Sequence, residues 1–164
     1  MSDVEFDRIV RAHGDALSRV AWGYVAGAAD HDDLMQDILV AIWHALPRFR
    51  GASSERTFVF RIAHNRGCTF LARRRDHEPL TTDTPIADPR PGPDEALDEA
   101  RRRELLARAV RTLPEALRQA VLLRLEGFSL SEIAALQATS EANVSVRLTR
   151  GRDRLRELLG GNDR

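Results

Sequence analysis

Apolar residues recur at three- and four-residue steps along almost the whole chain, the spacing of one face of a helix. Phe6, Ile9, Val10, His13, Leu17, Val20 and Tyr24 form the first such stripe. Leu34, Ile38, Ile42 and Leu46 form the second, with Met35, Leu39 and Trp43 as an additional apolar edge and Pro47 as its stop. Asp30 is the expected N-cap of this helix, and Asp33 adds charge at the favourable end of its dipole. A loop from Arg48 to Ser53 leads into a third helix, expected from Ser54 to the triple Arg73, Arg74, Arg75. In the second half, Leu106, Val110, Leu113, Leu117, Val121 and Leu125 make a stripe that Pro114 breaks in two and Gly127 ends. Ser129 and Glu132 have the spacing of a capping box, opening a short helix that buries Ile133 and Leu136. Ser140 caps a final helix with Val144, Leu148, Leu155 and Leu158 on its apolar face, closed by Gly160 and Gly161. The pattern predicts an all-α protein.

Residues 76–94 break the pattern. They hold Pro79, Pro85, Pro89, Pro91 and Pro93 among acidic residues, with too little apolar surface to fold alone. An extended, acidic, Pro-rich linker is expected there, dividing the chain into two small helical domains at 1–75 and 95–164. A length of 164 residues accommodates that division.

Charge sharpens it. The formal net charge is +0, and all 25 basic side chains are Arg. Yet the blocks 1–46, 47–75, 76–99 and 100–164 carry net charges of −5, +7, −7 and +5. The basic blocks suit polyanions, although solvated helix faces give the same pattern. The single cysteine, Cys68, excludes an internal disulfide and fits a reducing compartment. The apolar stretch Val20 to Ala29 is half the length of a membrane span, and no leader peptide is visible, so a cytoplasmic protein is expected.

Two segments carry candidate chemistry. The short capped helix, tight turn and Arg-rich last helix make a helix-turn-helix pattern. Its second helix offers Ser140, Glu141, Asn143, Ser145, Arg147, Thr149 and Arg150 to a major groove. Arginine suits guanine edges or phosphates there, and asparagine suits adenine. The other segment is the basic helix after Ser54, where arginines alternate with Phe58, Phe60 and Phe70, and with Asn65 and Thr69. Cationic side chains along phosphates, with aromatic faces for unpaired bases, suit single-stranded nucleic acid; core packing explains each phenylalanine better when taken separately, and the place of this helix ahead of a linker and a duplex-reading module shifts the balance. Nothing points to an enzyme. The five histidines lack metal-ligand spacing with Cys68, and there is no glycine-rich phosphate loop, so neither catalytic residues nor cofactor nor metal is expected. The aspartates from Asp30 to Asp37 are explained by capping or partner docking, and Cys68 by packing.

Asp30 to Asp37, followed by Arg56-Thr57-Phe58-Val59-Phe60-Arg61-Ile62-Ala63-His64-Asn65, resembles the second conserved region of extracytoplasmic-function sigma factors, the small promoter-specificity subunits of bacterial RNA polymerase. Leu113-Pro114-Glu115, Leu123 to Ser129, Glu132-Ile133-Ala134 and Val144 to Arg150 resemble that family's fourth region. The resemblance implies that Asp32, Asp33, Gln36 and Asp37, with Met35 and Leu39 as apolar contacts, dock on core polymerase. It implies that Arg50, Ser53, Ser54, Arg56, Phe58, Phe60, Arg61, Asn65, Arg66 and Thr69 open and read the minus-ten element. The last helix then reads the minus-thirty-five duplex, with Arg124 on the backbone. An anti-sigma factor is a further partner the family implies. The chain departs from the family pattern at five positions. Phe58 and Phe60 stand where Trp and Tyr are usual, Glu55 replaces a phenylalanine, Ala138 replaces a glycine, and Ser145 replaces a basic residue.

Two other functions remain open on sequence alone. A stand-alone helix-turn-helix regulator would bind duplex tightly without polymerase, with strong salt dependence. An interaction protein would merely sequester polymerase or another partner. Neither accounts for an aromatic, basic helix ahead of the linker.

Overall fold

The computed structural model describes residues 2–77 and 95–160, and the expected linker therefore lies outside the described residues except for Asp76 and His77. Helices α1 (Ser2–Trp22), α2 (Ala28–Ala45) and α3 (Glu55–His77) form the first unit. Helices α4 (Glu95–Arg111), α5 (Glu115–Leu125), α6 (Leu130–Leu136) and α7 (Glu141–Gly160) form the second. Among the described residues all regular structure is helical.

The apolar stripes point inward as their periodicity requires. Ile9, Leu17 and Val20 of α1 meet Leu34, Ile38 and Ile42 of α2, and Val59, Phe60 and Ala63 of α3 close the first core. Val110, Leu113, Leu123, Ile133, Val144 and Leu148 of the second unit belong to the same buried cluster. Tyr24 lies beyond the end of α1, buried in the turn that leads to α2. Its ring rests directly on the α3 backbone at Gly67, where a Cβ would fall 2.7 Å from the ring. Only glycine admits that approach.

Most stops and caps follow the sequence. Pro114 sits at the N-cap of α5, Gly127 ends that run with φ +85°, and Ser129 and Glu132 form a complete capping box. Ser140 Oγ accepts from the Asn143 amide at 3.1 Å. Ser54 Oγ likewise accepts from the Thr57 amide at 3.1 Å, capping α3. Two expectations need correction. Helix α2 starts at Ala28 with Gly27 at its N-cap, so Asp30 lies inside the first turn and pairs with Arg74 on α3 instead of capping. Helix α3 runs two residues past the arginine triple, to His77, because nothing before Pro79 breaks it.

The turn between α6 and α7 carries a non-glycine residue, Ala138, at φ +50°. A left-handed backbone costs an L-residue about 1–2 kcal/mol. Ala138→Gly should therefore stabilise the chain by about 0.5–1 kcal/mol, the remainder being returned through the freer unfolded state. A urea midpoint that stays put or falls would sink that account of the turn.

Candidate nucleic-acid interface

Helix α3 divides its candidate residues between two faces. At about 100° per residue, Ser54, Phe58, Arg61, Asn65 and Thr69 fall on one side, and Arg56, Phe60, Ala63 and Gly67 on the other. The burial agrees: Arg61 and Asn65 are exposed, while Phe60 is 1% exposed. On the outer side, Phe58 stacks on Phe49 from the preceding loop, with ring centroids 4.4 Å apart. That stack stiffens the loop holding Arg50, which is exposed, and Ser53, which is half-buried. The Thr69 hydroxyl donates to the Asn65 carbonyl at 2.9 Å, and Arg66 lies 3.8 Å from Asp37 on α2.

Glu55 is the acid that departs from the family pattern, and its charge is answered within the fold. Arg8 Nη1 on α1 donates to it at 3.1 Å, and His13 Nε2 stands 3.1 Å away. The hydrogen bond from Arg8 holds the carboxyl below its ordinary range. Glu55 thus ties α3 to α1 and leaves the outer face basic.

The inner face meets the second unit. Arg56 places its guanidinium carbon 3.8 Å from the centroid of the Phe128 ring and donates through Nη2 to the Glu126 carbonyl. Phe60 packs on Phe128 with centroids 5.0 Å apart. Nearby, Arg19 makes a two-pronged ion pair with the Glu126 carboxylate at 2.8 and 3.0 Å. Arg111 of α4 donates to the carbonyls of Trp22 at 2.8 Å and Val25 at 3.3 Å. Sequence reasoning missed this seam. Its partners, such as Arg19 with Glu126 and Arg56 with Glu126, lie 107 and 70 residues apart in the chain, beyond the reach of local pattern.

A buried polar chain lies under α3. Cys68 donates to the Tyr24 hydroxyl at 3.9 Å, and Tyr24 donates to His64 Nδ1 at 2.6 Å. His64 Nε2 is buried without a hydrogen-bond partner, so burial drives the ring's pKa down to about 3. Burial also pushes the Cys68 thiol up to about 11, which leaves almost none of the thiolate that oxidation needs.

On α2, Asp32, Asp33 and Gln36 are exposed, while Met35, Asp37 and Leu39 are half-buried. Asp32, Met35, Gln36 and Leu39 line an apolar groove completed by Phe6, Val40 and Trp43. Trp43 is 45% exposed there, a large apolar surface left open to water. The sequence marks Trp43 as an apolar edge of the helix, but only the structure shows how much of it is left open.

In the second unit, Ser140 just before α7 and Glu141, Asn143, Ser145, Thr149 and Arg150 on it are exposed, while Val144 and Leu148 are buried. Gln137 Oε1 accepts from Arg147 Nη1 at 3.0 Å, and Thr139 Oγ1 accepts from Asn143 Nδ2 at 3.0 Å. These bonds fix the half-buried Arg147 and the exposed Asn143 against the turn before α7. Arg124 is exposed at the end of α5 and spends one donor on the Phe128 carbonyl at 3.0 Å. Among the described residues no group of three or more His, Cys, Asp or Glu is placed to hold a metal, and no helix is long and apolar enough to cross a membrane.

These two units coincide with known families. Residues 9–77 match the Sigma-70 region 2 family, and residues 103–155 match Sigma-70, region 4. The chain is similar to the RNA polymerase sigma factor CnrH of Cupriavidus metallidurans, with 31% identity over 94% of this chain and 86% of that one. It is also similar to the ECF RNA polymerase sigma-E factor of Escherichia coli, with 28% identity over 90% of this chain and 83% of that one. The solved structure of CnrH in complex with the cytosolic domain of CnrY superposes with a TM-score of 0.70, at 28% identity over 96% of this chain and 89% of that one. Both helical units, in this order and at this likeness, settle the assignment: the chain belongs to the extracytoplasmic-function sigma factors of RNA polymerase.

Proposed function

We propose that this sigma factor joins core RNA polymerase through the acidic, apolar groove on α2 and opens promoter DNA along the outer face of α3. Sigma factors are regulatory DNA-binding proteins, and the chemistry of RNA synthesis is left to the polymerase. In this reading residues 1–75 serve the polymerase and the minus-ten element, 76–94 form the connection, and 95–164 read the minus-thirty-five element. The observation that carries it is the outer stripe of α3. Phe58, Arg61, Asn65 and Thr69 share one face beside the Arg50–Ser54 loop and Arg66, with Arg61 and Asn65 exposed and Phe58 and Thr69 half-buried. That strip combines a flat ring, cations for phosphate and an amide for a base edge, the elements of single-strand capture. The exposed row on α7, with Asn143 and Arg147 already positioned, supports duplex reading by the second unit. Arg56 and Phe60 stand apart from the outer strip, engaged in the seam. An anti-sigma protein is proposed as a further partner; the solved CnrH relative was captured with the cytosolic domain of CnrY.

Run-off transcription from a pool of promoters, with core polymerase and with or without this protein, tests the proposal directly. New start sites should appear only when the chain is added. Tight duplex binding by the free protein, with no new starts, would favour a stand-alone regulator instead.

Two substitutions divide the work between the faces. Asp37→Arg reverses charge on the docking helix and sets the introduced guanidinium against Arg66, in place of an ion pair 3.8 Å long. It should weaken core polymerase binding by roughly tenfold while leaving the helical spectrum intact; unchanged affinity counts against docking through α2. Asn65→Ala should slow strand opening by about tenfold or more with little effect on closed-complex formation. Equal loss at both steps would remove Asn65 from strand capture.

A further inference from the structure

We infer that Val146 is a specificity-determining residue: its methyl groups pack on the C5 methyl of a thymine in the minus-thirty-five element. The inference deepens the promoter reading above and rests on it.

Helix α7 is divided by polarity around its circumference. Val144, Leu148 and Gly151 form its buried ridge. At about 100° per residue, Val146 points almost diametrically away from that ridge, and it is 46% exposed. Ala142, also exposed, lies one turn earlier on the same outward line. Asn143, Arg150 and Arg154 run along one flank of this apolar centre, and Ser145, Arg152 and Arg156 along the other, all six exposed. A single valine on a surface needs no explanation. One centred between two rows of arginine, in a helix that alanine would suit better, does.

That profile fits a major groove. Phosphates line both rims, where the flanking arginines meet them, and base edges form the floor beneath the centre of the helix. The apolar group on that floor is the thymine methyl, and a valine side chain has neither donor nor acceptor for the others. An apolar protein surface pressed on the same centre would desolvate guanidinium groups on both sides of it. The nearest polar side chains leave the position free. Arg147 donates to Gln137 and Asn143 to Thr139, both toward the turn before α7. Two turns beyond Val146 the outward line passes to Asp153, which lies 3.8 Å from Arg156. The apolar part of the line is thus confined to the N-terminal half of the helix, the half that meets base edges in helix-turn-helix proteins.

The experiment removes one methyl at a time from the DNA. In the promoter used most in the pool of run-off templates, each thymine of the minus-thirty-five element, on either strand, is replaced by deoxyuridine, which leaves the pairing edge unchanged. Core polymerase carrying the full chain is bound to each duplex in the cold, before opening. One thymine, or two neighbours, should lose about three- to fivefold in affinity with the methyl. Val146→Ala, an exposed change to a better helix former, should keep the fold, bind the thymine duplex about three- to fivefold more weakly and discriminate against uracil less than about twofold. Uracil tolerated at every position, on a promoter that still fires, overturns the role of Val146 and leaves the promoter reading standing. A uracil penalty of unchanged size in Val146→Ala gives the methyl to another side chain and overturns it equally. Tighter binding when the cytosines of the element carry 5-methyl groups, with no uracil penalty, places the methyl on a modified base and overturns the thymine. A pool that yields no start sites with the chain present removes the promoter reading and this inference together.

Discussion

Phe128→Ala should cost the fold about 3–5 kcal/mol, the range for emptying a large aromatic site in a packed core. Phe128 is fully buried and stands immediately before the capping box of α6, so its ring supports the first helix of the helix-turn-helix. It also carries Arg56 on one face and packs against Phe60. Phe128→Leu separates the two roles. Leucine keeps most of the apolar volume and should cost less than about 1.5–2 kcal/mol in the core, but it offers no ring to the guanidinium. In a double-mutant cycle with Arg56→Ala, wild type should show a coupling of about 1 kcal/mol between positions 56 and 128, and the leucine background should show nearly none. Additive losses in urea unfolding would mean that the stacked guanidinium contributes nothing to joining the units.

The same pair shows where sequence reading stops. The Pro114 break, the capping box and the Ser140 cap are local signals, fixed within a turn or two of their residues, and they are realised as read, whereas the stripes of α5 and α7 leave their last members outside, Leu125 60% and Leu158 45% exposed. Asp30 illustrates the first kind of failure. An aspartate early in a helix reads as a cap, but Gly27 adopts the extended N-cap conformation and Arg74, distant in sequence, claims the carboxylate. The aromatic, basic helix illustrates the second. Composition alone places Phe58 and Phe60 together, whereas two residues along a helix is more than half a turn. The first ring therefore joins the outer strip, and the second enters the seam. Which face turns outward is decided by partners far along the chain, Phe128 above all. Glu55 is similar: an acid beside a proposed DNA surface looks adverse until Arg8 and His13 are brought to it by the packing of α1.

Acid should unfold this protein through His64. The native ring has a pKa of about 3, because it is fully buried with an unpartnered Nε2, whereas an unfolded chain restores a value of about 6.5. Between those limits the unfolded state binds the proton and the native state does not. Stability is thus complete above about pH 6.5 and falls as pH drops toward 3, by up to about 1.4 kcal/mol for each unit. At pH 5 roughly 2 kcal/mol should already be gone. The Glu55 pair adds to the loss only at lower pH, since an unpaired glutamate titrates near 4.5. His64→Gln removes the titration while retaining an acceptor for the Tyr24 hydroxyl. Its stability should be lower at pH 7 and nearly flat down to pH 5, and a wild-type chain equally flat over that range would exclude His64 as the acid-sensitive group. The location gives the loss a functional edge. His64 precedes Asn65 on α3, and its partner Tyr24 lies against Gly67 and under Arg118 of the second unit. Protonating the ring forces a charge into the joint where α3, the α1–α2 turn and α5 meet. The outer face of α3 and the seam would then lose their support together.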